Sequence, residues 1–301
     1  MSAANPAASQ RPFAIGLALA TAGAIAFSGK AIIVKLAYRY GVDAVTLIMY
    51  RMLFALPMFV ALAWWAGRGK PPLTARDWRV AGVLGFFGYY LASFLDFAGL
   101  QYVTASLERL MLYLNPTLVL LLSWAIQRKP VSARQLGAMA VSYVGVALVF
   151  GHEATLDAPD AALGAALVLA SALSYALYLV ISAQEVQRLG AMRLVGVATS
   201  VACVLCIVQF VLLRPLAAAD VAPPVLWLSL LNAVVCTVAP ILMVMAAIER
   251  IGAPLAAQTG MVGPLATIAM GVLLLGEPFT GWTVAGTVFV LAGVWTLARA
   301  R

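Results

Sequence analysis

The stretches ASLERLMLYLNPTLVLLLSWAIQRKP (105–130) and APLAAQTGMVGPLATIAMGVLLLGEP (253–278) share one design. Each is an apolar helix interrupted midway by a proline and closed by a turn that carries a second proline. Pro116 and Pro130 fall on Pro264 and Pro278 at a constant shift of 148 residues, and Gly145-Val146 falls on Gly293-Val294 at the same shift. Further upstream, Gly16, Ala18, Leu19, Ala22 and Ala24 fall on Gly164, Ala166, Leu167, Ala170 and Ala172. Alanine-rich helices coincide easily by chance. Prolines and glycines at one offset do so less, because each answers a special backbone requirement. The chain reads as a duplication.

The duplicated material is a set of apolar blocks. Hydrophobic residues make up 64% of the 301 positions and charged residues 10%, whereas a soluble domain carries about 25% charged residues. Such a chain cannot cover its own core with a polar surface. The blocks run to about 20 residues, the length at which a helix crosses a hydrocarbon core of roughly 30 Å. Ten are legible: 13–36, 44–66, 78–100, 104–126, 132–150, 161–183, 192–213, 225–248, 252–275 and 279–298. Membrane barrels need alternating segments of about ten residues instead. The first block is longer than the core of a signal peptide and no clear cleavage motif follows it. The expected architecture is an all-α integral membrane protein, ten transmembrane helices as two inverted five-helix repeats. Its divisions are a disordered tail 1–12, a first repeat 13–150, an external linker 151–160 and a second repeat 161–298.

Charge sets the expected orientation. With both termini on one side, that side receives thirteen basic residues: Arg11, Arg68, Lys70, Arg76, Arg79, Arg128, Lys129, Arg134, Arg188, Arg193, Arg250, Arg299 and Arg301. The opposite side receives Lys35, Arg39 and Arg214. Lysine and arginine accumulate on the cytoplasmic side, so both termini are expected in the cytoplasm and the chain in a bacterial-type inner membrane. The net charge of +8 is then a topology signal rather than a nucleic-acid footprint. The segment HEATLDAPDA (152–161) has three carboxylates and no lysine or arginine, as an external loop should. Five spans per copy is an odd number, so the second copy inserts upside down. The closing turn agrees, being QRKP on the basic side and LGEP on the other. Inverted repeats are a frequent transporter design, with the substrate held near the midplane between the halves and exposed to each side in turn.

Residues 99–148 and 250–294 also carry a family resemblance. Both have a turn leading into a helix with a central proline, a short turn bearing Lys-Pro or Glu-Pro, and a last helix rich in glycine. The chain resembles the drug/metabolite transporter superfamily, and within it the ten-helix two-repeat exporters of amino acids and related metabolites, including the aromatic amino-acid exporters. The second copy fits better, because LGEPFTGW has the family's usual glutamate where the first copy has Arg128-Lys129. The resemblance implies a cavity lined by the first, third and fourth helices of each copy. A facilitative or exchange carrier for another small metabolite or drug is the alternative within that reading.

Five charges lie well inside the blocks, clear of their ends: Lys30, Arg51, Asp96, Glu108 and Arg109. At 1.5 Å per residue they share one layer, with Asp96, Glu108 and Arg109 roughly 6–9 Å below the external ends. Pairing and snorkelling lower the cost of such charges. Asp96 is expected to meet Arg109 across the hairpin, and Glu108 to meet Lys30 or Arg51. The set reads either as a clamp on the first half or as an external gate whose surplus positive charge draws a substrate carboxylate. The second copy has Tyr178, Val244, Ala256 and Ala257 at the matching places of Lys30, Asp96, Glu108 and Arg109.

The substrate cavity is expected among Phe27, Lys30, Tyr89, Tyr90, Ser93, Met111, Asn115, Ser174, Tyr175, Tyr178, Asn232, Cys236, Gln258 and Thr259, with helix breaks at Pro116, Pro240 and Pro264. Each polar residue alone reads equally as an interhelical hydrogen bond; their convergence is what suggests a pocket of aromatic walls and few polar fixings. Cys203 and Cys206 spell CxxC inside an apolar block, which reads as packing. Glycines in blocks five and ten suit scaffold packing or a contact with a second copy of the chain. No metal-ligand cluster, GxSxG or P-loop is present, and the single His152 lies in the linker. An integral membrane enzyme, a channel and an ATP-driven pump are thus disfavoured. The expected partners are a small-molecule substrate, the lipid bilayer and a possible homo-oligomer, with no nucleic acid, cofactor or metal.

Overall fold

The computed structural model describes residues 6–128, 131–154, 160–252, 255–256 and 259–299. Within them are nine helices long and apolar enough to cross a membrane, and one shorter apolar helix, Gly260–Leu275. They are numbered in chain order: α1 Pro6–Tyr38, α2 Ala44–Gly67, α3 Ala75–Gly99, α4 Ala105–Gln127, α5 Ala133–Ala154, α6 Ala161–Leu189, α7 Ala191–Leu213, α8 Pro223–Ile251, α9 Gly260–Leu275 and α10 Gly281–Arg299. The ten apolar blocks are these ten helices. Several ends differ from the sequence expectation by a few residues, α6 for example continuing to Leu189, and two of the differences cross the expected divisions. α1 begins at Pro6, inside the stretch expected as tail, and α5 runs on to Ala154, inside the stretch expected as linker.

Most irregularities repeat at the same shift as the sequence, the π-helical end of α9 at Gly271–Leu275 being without a counterpart in α4. α3 is π-helical over Phe86–Leu91 and α8 over Val234–Val238, and Phe86 and Val234 are 148 residues apart. α4 breaks after Leu112 and restarts at Asn115–Gln127, with Pro116 in its first turn. α9 passes through a 3-10 turn at Gly260–Val262 and restarts at Gly263, with Pro264 in the first turn. Proline fits a helix start because its missing N–H has no helical partner there. In α8, Pro240 likewise opens the α-helical segment that follows the π turn.

Packing has the same symmetry. α1 lies against α8 and α9, α6 lies against α3 and α4, α2 crosses α7, and α5 crosses α10. Moving each pairing by five helices returns a pairing in the same set, as a twofold axis between two copies requires. The first helix of each repeat has thus crossed over: one bundle is α3, α4 and α6, the other α8, α9 and α1. The crossing pairs hold these bundles side by side. Between α2 and α7, Met52 and Phe59 meet Cys203 and Cys206 in a sealed core, with the Cys203 thiol 3.7 Å from the Met52 sulfur. Between α5 and α10, a Cβ at Gly145 would stand 2.6 Å from the Gly286 carbonyl, and one at Gly293 would collide with Ser142 and the Ala138 carbonyl. Those glycines serve contact within the chain, the scaffold reading, and are not free to face a second copy.

Ten antiparallel spans put both described chain ends at one end of the molecule, here the terminal end; the other is the far end. At the far end Asp43 caps α2, accepting from the Val45 and Thr46 amides, the Thr46 hydroxyl and the Arg214 guanidinium at the end of α7. Partial burial alone would raise the carboxyl, but these hydrogen bonds outweigh it and hold Asp43 below the usual carboxylate range. A depressed carboxyl stabilises the fold above its unfolded pKa, and the contribution is lost as pH falls through the folded one.

Candidate functional site

The intramembrane charges meet where the two bundles touch. Lys30 of α1 places its ammonium 2.5 Å from Asp96 on α3 and 3.2 Å from Glu108 on α4. All three side chains are buried, Glu108 completely. The expected pair Asp96–Arg109 does not form. Glu108 and Arg109 are neighbours on a helix and so point about 100° apart; with Glu108 turned to Lys30, Arg109 is turned to α9. Its guanidinium donates to the Thr267 hydroxyl at 3.0 Å and to the Phe27 carbonyl at 3.1 Å, and lies 5.2 Å from the Phe27 ring. Arg51 stands apart on α2, donating to Thr237 of α8 at 3.2 Å and lying 5.1 Å from the Phe97 ring. The five charges are therefore one three-membered ion cluster with two flanking arginines.

More bonds join the bundles above and below this cluster. At the far end Lys35 donates to the Leu100 and Val103 carbonyls and Tyr38 to the Phe97 carbonyl. Glu277, in the turn between α9 and α10, accepts from the Ala105 amide at 2.7 Å and from the Ser106 amide and hydroxyl at 3.3 and 2.8 Å. A carboxylate here satisfies the orphan donors of the α4 N-terminus and sits at the positive end of its dipole. Below the cluster, Tyr113 of α4 donates to the Gly260 carbonyl of α9 at 2.5 Å. That carbonyl is four residues before Pro264, which has no N–H to give it an α-helical bond, so beside the Tyr113 hydroxyl it takes the Gly263 amide of the 3-10 turn. The other half repairs the equivalent carbonyl locally: Asn115 donates to Leu112, four residues before Pro116, at 2.8 Å. Tyr113→Phe is expected to cost about 1 kcal/mol, a buried hydrogen bond lost at constant shape. Thermal unfolding in detergent measures it.

Among the described residues, the hydrogen bonds and ion pairs between the bundles run from Glu277 at the far end down to Tyr113 and Gly260. Toward the terminal end, Asn115–Gln127 of α4 packs on α6 and α10, while Ala239–Ile251 of α8 packs on α1. Among the described residues, no hydrogen bond or ion pair joins the bundles between Tyr113–Gly260 and the chain ends. The Phe27 carbonyl is held by Arg109 across the interface, yet its side chain is 44% exposed.

The other expected cavity residues divide. Tyr89, Tyr175 and Tyr178 form one aromatic group between α3 and α6, with the Tyr89 and Tyr178 hydroxyls 3.2 Å apart. Tyr178 lies on Gly88, where a Cβ would come within 2.5 Å of the ring. Ser174 donates to the Phe87 carbonyl and Ser171 to Ala92, so the serine stripe of α6 serves the π-helical stretch of α3. Tyr90 turns the other way, against Phe86 and the core between α2 and α7. Met111 is buried with Leu107, Val146 and Val290, and Ser93 is half-buried. Asn232 donates to the Lys30 carbonyl at 3.4 Å, and Cys236 is buried beside Gly29. Thr259 donates back to Leu255, and Gln258 lies outside the described residues. Lys30 is buried in the ion cluster with Asp96 and Glu108.

Sequence reasoning assigned no role to several residues that matter here. Glu277 was visible in LGEP, and a carboxylate in a turn beside another helix start was the available signal. Arg76, Asp77, Glu185 and Arg188 form a surface ion cluster tying α3 to α6 at the terminal end, where the two arginines had counted only as topology charges. Thr237 and Thr267 carried no sequence signal for receiving Arg51 and Arg109.

Known proteins match this arrangement. Over 278 residues the chain is 31% identical to the uncharacterized transporter YcbK of Bacillus subtilis (strain 168), covering 89% of this chain and 87% of that protein. An uncharacterized transporter of Archaeoglobus fulgidus is 27% identical over 123 residues, 41% of each chain. A crystal structure with 18% identity superposes with a TM-score of 0.63 over 97% of this chain and 98% of its own, which speaks for the fold. The sequence model of the EamA-like transporter family matches residues 14–151 and again residues 162–299. Matched twice in tandem over nearly its whole length, the chain belongs to the EamA-like transporter family, within the drug/metabolite transporter superfamily, as a member with two repeats.

Proposed function

We propose that the protein is a secondary exporter of small metabolites, amino acids including aromatic ones being the class that fits best. It works by alternating access through the space between the two bundles. Its terminal end faces the cytoplasm of a bacterial-type inner membrane, as the thirteen-to-three bias of basic residues supports. The observation that carries the reading is the one-sided bonding: hydrogen bonds and ion pairs join the bundles from Glu277 to Tyr113, and among the described residues none joins them nearer the chain ends. A carrier caught open to one side has this form.

Substrate chemistry follows from the walls of that opening. Phe27 offers an exposed ring next to two buried cations, Lys30 at 5.8 Å and Arg109 at 5.2 Å from its centre. The surrounding charges number three positive and two negative, a surplus that favours a substrate carboxylate. The restarted segments at Asn115 and Gly263 point helix N-termini into the same region, which also favours negative charge. The Asn115 side-chain Oδ1 is buried without a hydrogen-bond donor among the described residues, which favours a substrate ammonium that reaches it. Carboxylate, ammonium and an apolar side chain together describe an amino acid.

Proteoliposomes loaded with a panel of labelled amino acids test this. Saturable, competable counterflow is expected, weakened by Phe27→Ala and by Asn115→Ala. Conductance at channel rates, chemical conversion of the substrate, or no flux for any member of the panel contradicts it.

A further inference from the structure

The ion cluster divides unevenly between the bundles, and the division has a consequence for protons. Asp96 and Glu108 belong to the same bundle, on α3 and α4, while Lys30 belongs to the other, on α1. In the sealed state one ammonium serves two carboxylates. Its supply of donors is already short: Asp96 Oδ1 and Glu108 Oε2 are buried without a hydrogen-bond donor, and Glu108 Oε1 has only its 3.2 Å contact with the Lys30 ammonium. Opening the far end separates the bundles and withdraws Lys30, because it is the only bond of these acids to α1, α8 or α9 among the described residues. Two adjacent carboxylates would then remain in a largely apolar wall, which repulsion and desolvation both oppose.

From this geometry we infer that Asp96 and Glu108 form a proton-binding site, and that a proton and the Lys30 ammonium occupy it alternately. As the far end opens, Lys30 leaves with α1, keeping its own proton and its contact with Phe27, and one proton from the far side binds between the two carboxyls. The O–H so formed supplies the donor the pair lacks. As the far end closes, Lys30 returns and that proton is released toward the terminal end. Each cycle carries one proton inward while substrate moves outward, so the exporter is a proton antiporter.

The charges facing the pair agree. Arg109, on α4, moves with the acids, so with one proton bound Asp96, Glu108 and Arg109 sum to zero. Arg51 on α2 and Arg109 are engaged by Thr237 and Thr267 and by ring faces, and neither forms an ion pair with the acids. Tyr38 and Lys35 from α1 are bonded to backbone carbonyls at the α3–α4 turn, Cys236 of α8 is a buried thiol, and Glu277 is spent on the α4 N-terminus. Among the described residues, no other cation forms an ion pair with Asp96 or Glu108.

This inference rests on the exporter reading for its direction but is tested without substrate. Spin labels at the exposed positions Gln101 and Phe279 report the far-end separation in lipid nanodiscs. Acidification is expected to widen it with the slope of a single proton. Asp96→Asn and Glu108→Gln, which imitate the protonated acids, are expected to be wide at every pH and to lose the pH response. Infrared difference spectra of the wild type are expected to show a protonated-carboxyl band rising with the open population. A wild-type separation indifferent to pH, a response retained in both variants, or widening without the carboxyl band would overturn the inference, and the first and third need no variant to fold. Amino-acid flux with a pH-insensitive far end would remove the proton site alone; pH-driven widening with no flux would remove only the exporter.

Discussion

Lys30→Ala is expected to lower the unfolding free energy by about 3–5 kcal/mol, the cost of leaving buried charges uncompensated. The lysine is the sole ion-pair partner of Asp96 and Glu108 among the described residues, and neither acid reaches water. The loss belongs to the stranded carboxylates more than to the missing pair, and this gives the test its second arm. A triple variant, Lys30→Ala with Asp96→Asn and Glu108→Gln, removes all three charges and is expected to recover most of the stability, since neutral replacement of a buried ion cluster is often harmless. Thermal unfolding in detergent compares the three proteins. A single variant as stable as the wild type, or a triple variant no better than the single, shows that the cluster does not bear on the fold as described.

The second large effect is expected at Glu277. Its carboxylate accepts three hydrogen bonds at the α4 N-terminus from across the bundle interface. Charge-assisted bonds of this kind contribute about 1.5–3 kcal/mol. That energy is present only while the far end is closed, so Glu277→Ala acts on the conformational equilibrium and not on folding alone. At about 1.4 kcal/mol per tenfold change, the closed population falls relative to the open one by at least about tenfold. Distances between the Gln101 and Phe279 labels in the variant and the parent measure that ratio directly. An unchanged distribution means that Glu277 caps a helix and holds no gate.

Much of this architecture was legible in one dimension, and the failures have physical causes. Hydropathy located ten spans because lipid forces every span to be apolar and helical. Pro116 and Pro264 announced their helix breaks because a missing N–H acts locally. The exchange of α1 and α6 between bundles left no trace in composition, since an apolar face does not say which apolar face covers it. Depth in the membrane put Lys30, Asp96, Glu108 and Arg109 in one layer, but rotation about α4 decides partners, and one residue along a helix is a turn of about 100°. Asp96 thus met Lys30 and not Arg109. The serine stripe of α6 looked like a cavity wall, whereas Ser171 and Ser174 serve α3 carbonyls at its π-helical stretch, an irregularity with no proline to reveal it. Asn115 is expected in the cavity from sequence; its amide nitrogen mends the gap made by Pro116, and its side-chain oxygen has no hydrogen-bond donor among the described residues.

The central claim is that two oppositely inserted halves close the far end with Glu277 and leave the space beside Phe27 open to the side that bears the termini. Labelling a single cysteine with a membrane-impermeant maleimide, added to one face at a time, tests it most directly. The reporter is Phe27→Cys in a chain whose Cys203, Cys206 and Cys236 are replaced by alanine. With Glu277 intact, the account predicts modification only from the face bearing both termini; with Glu277→Ala added, modification appears from the opposite face as well. Reaction from the opposite face while Glu277 is intact, or from neither face in both proteins, contradicts it.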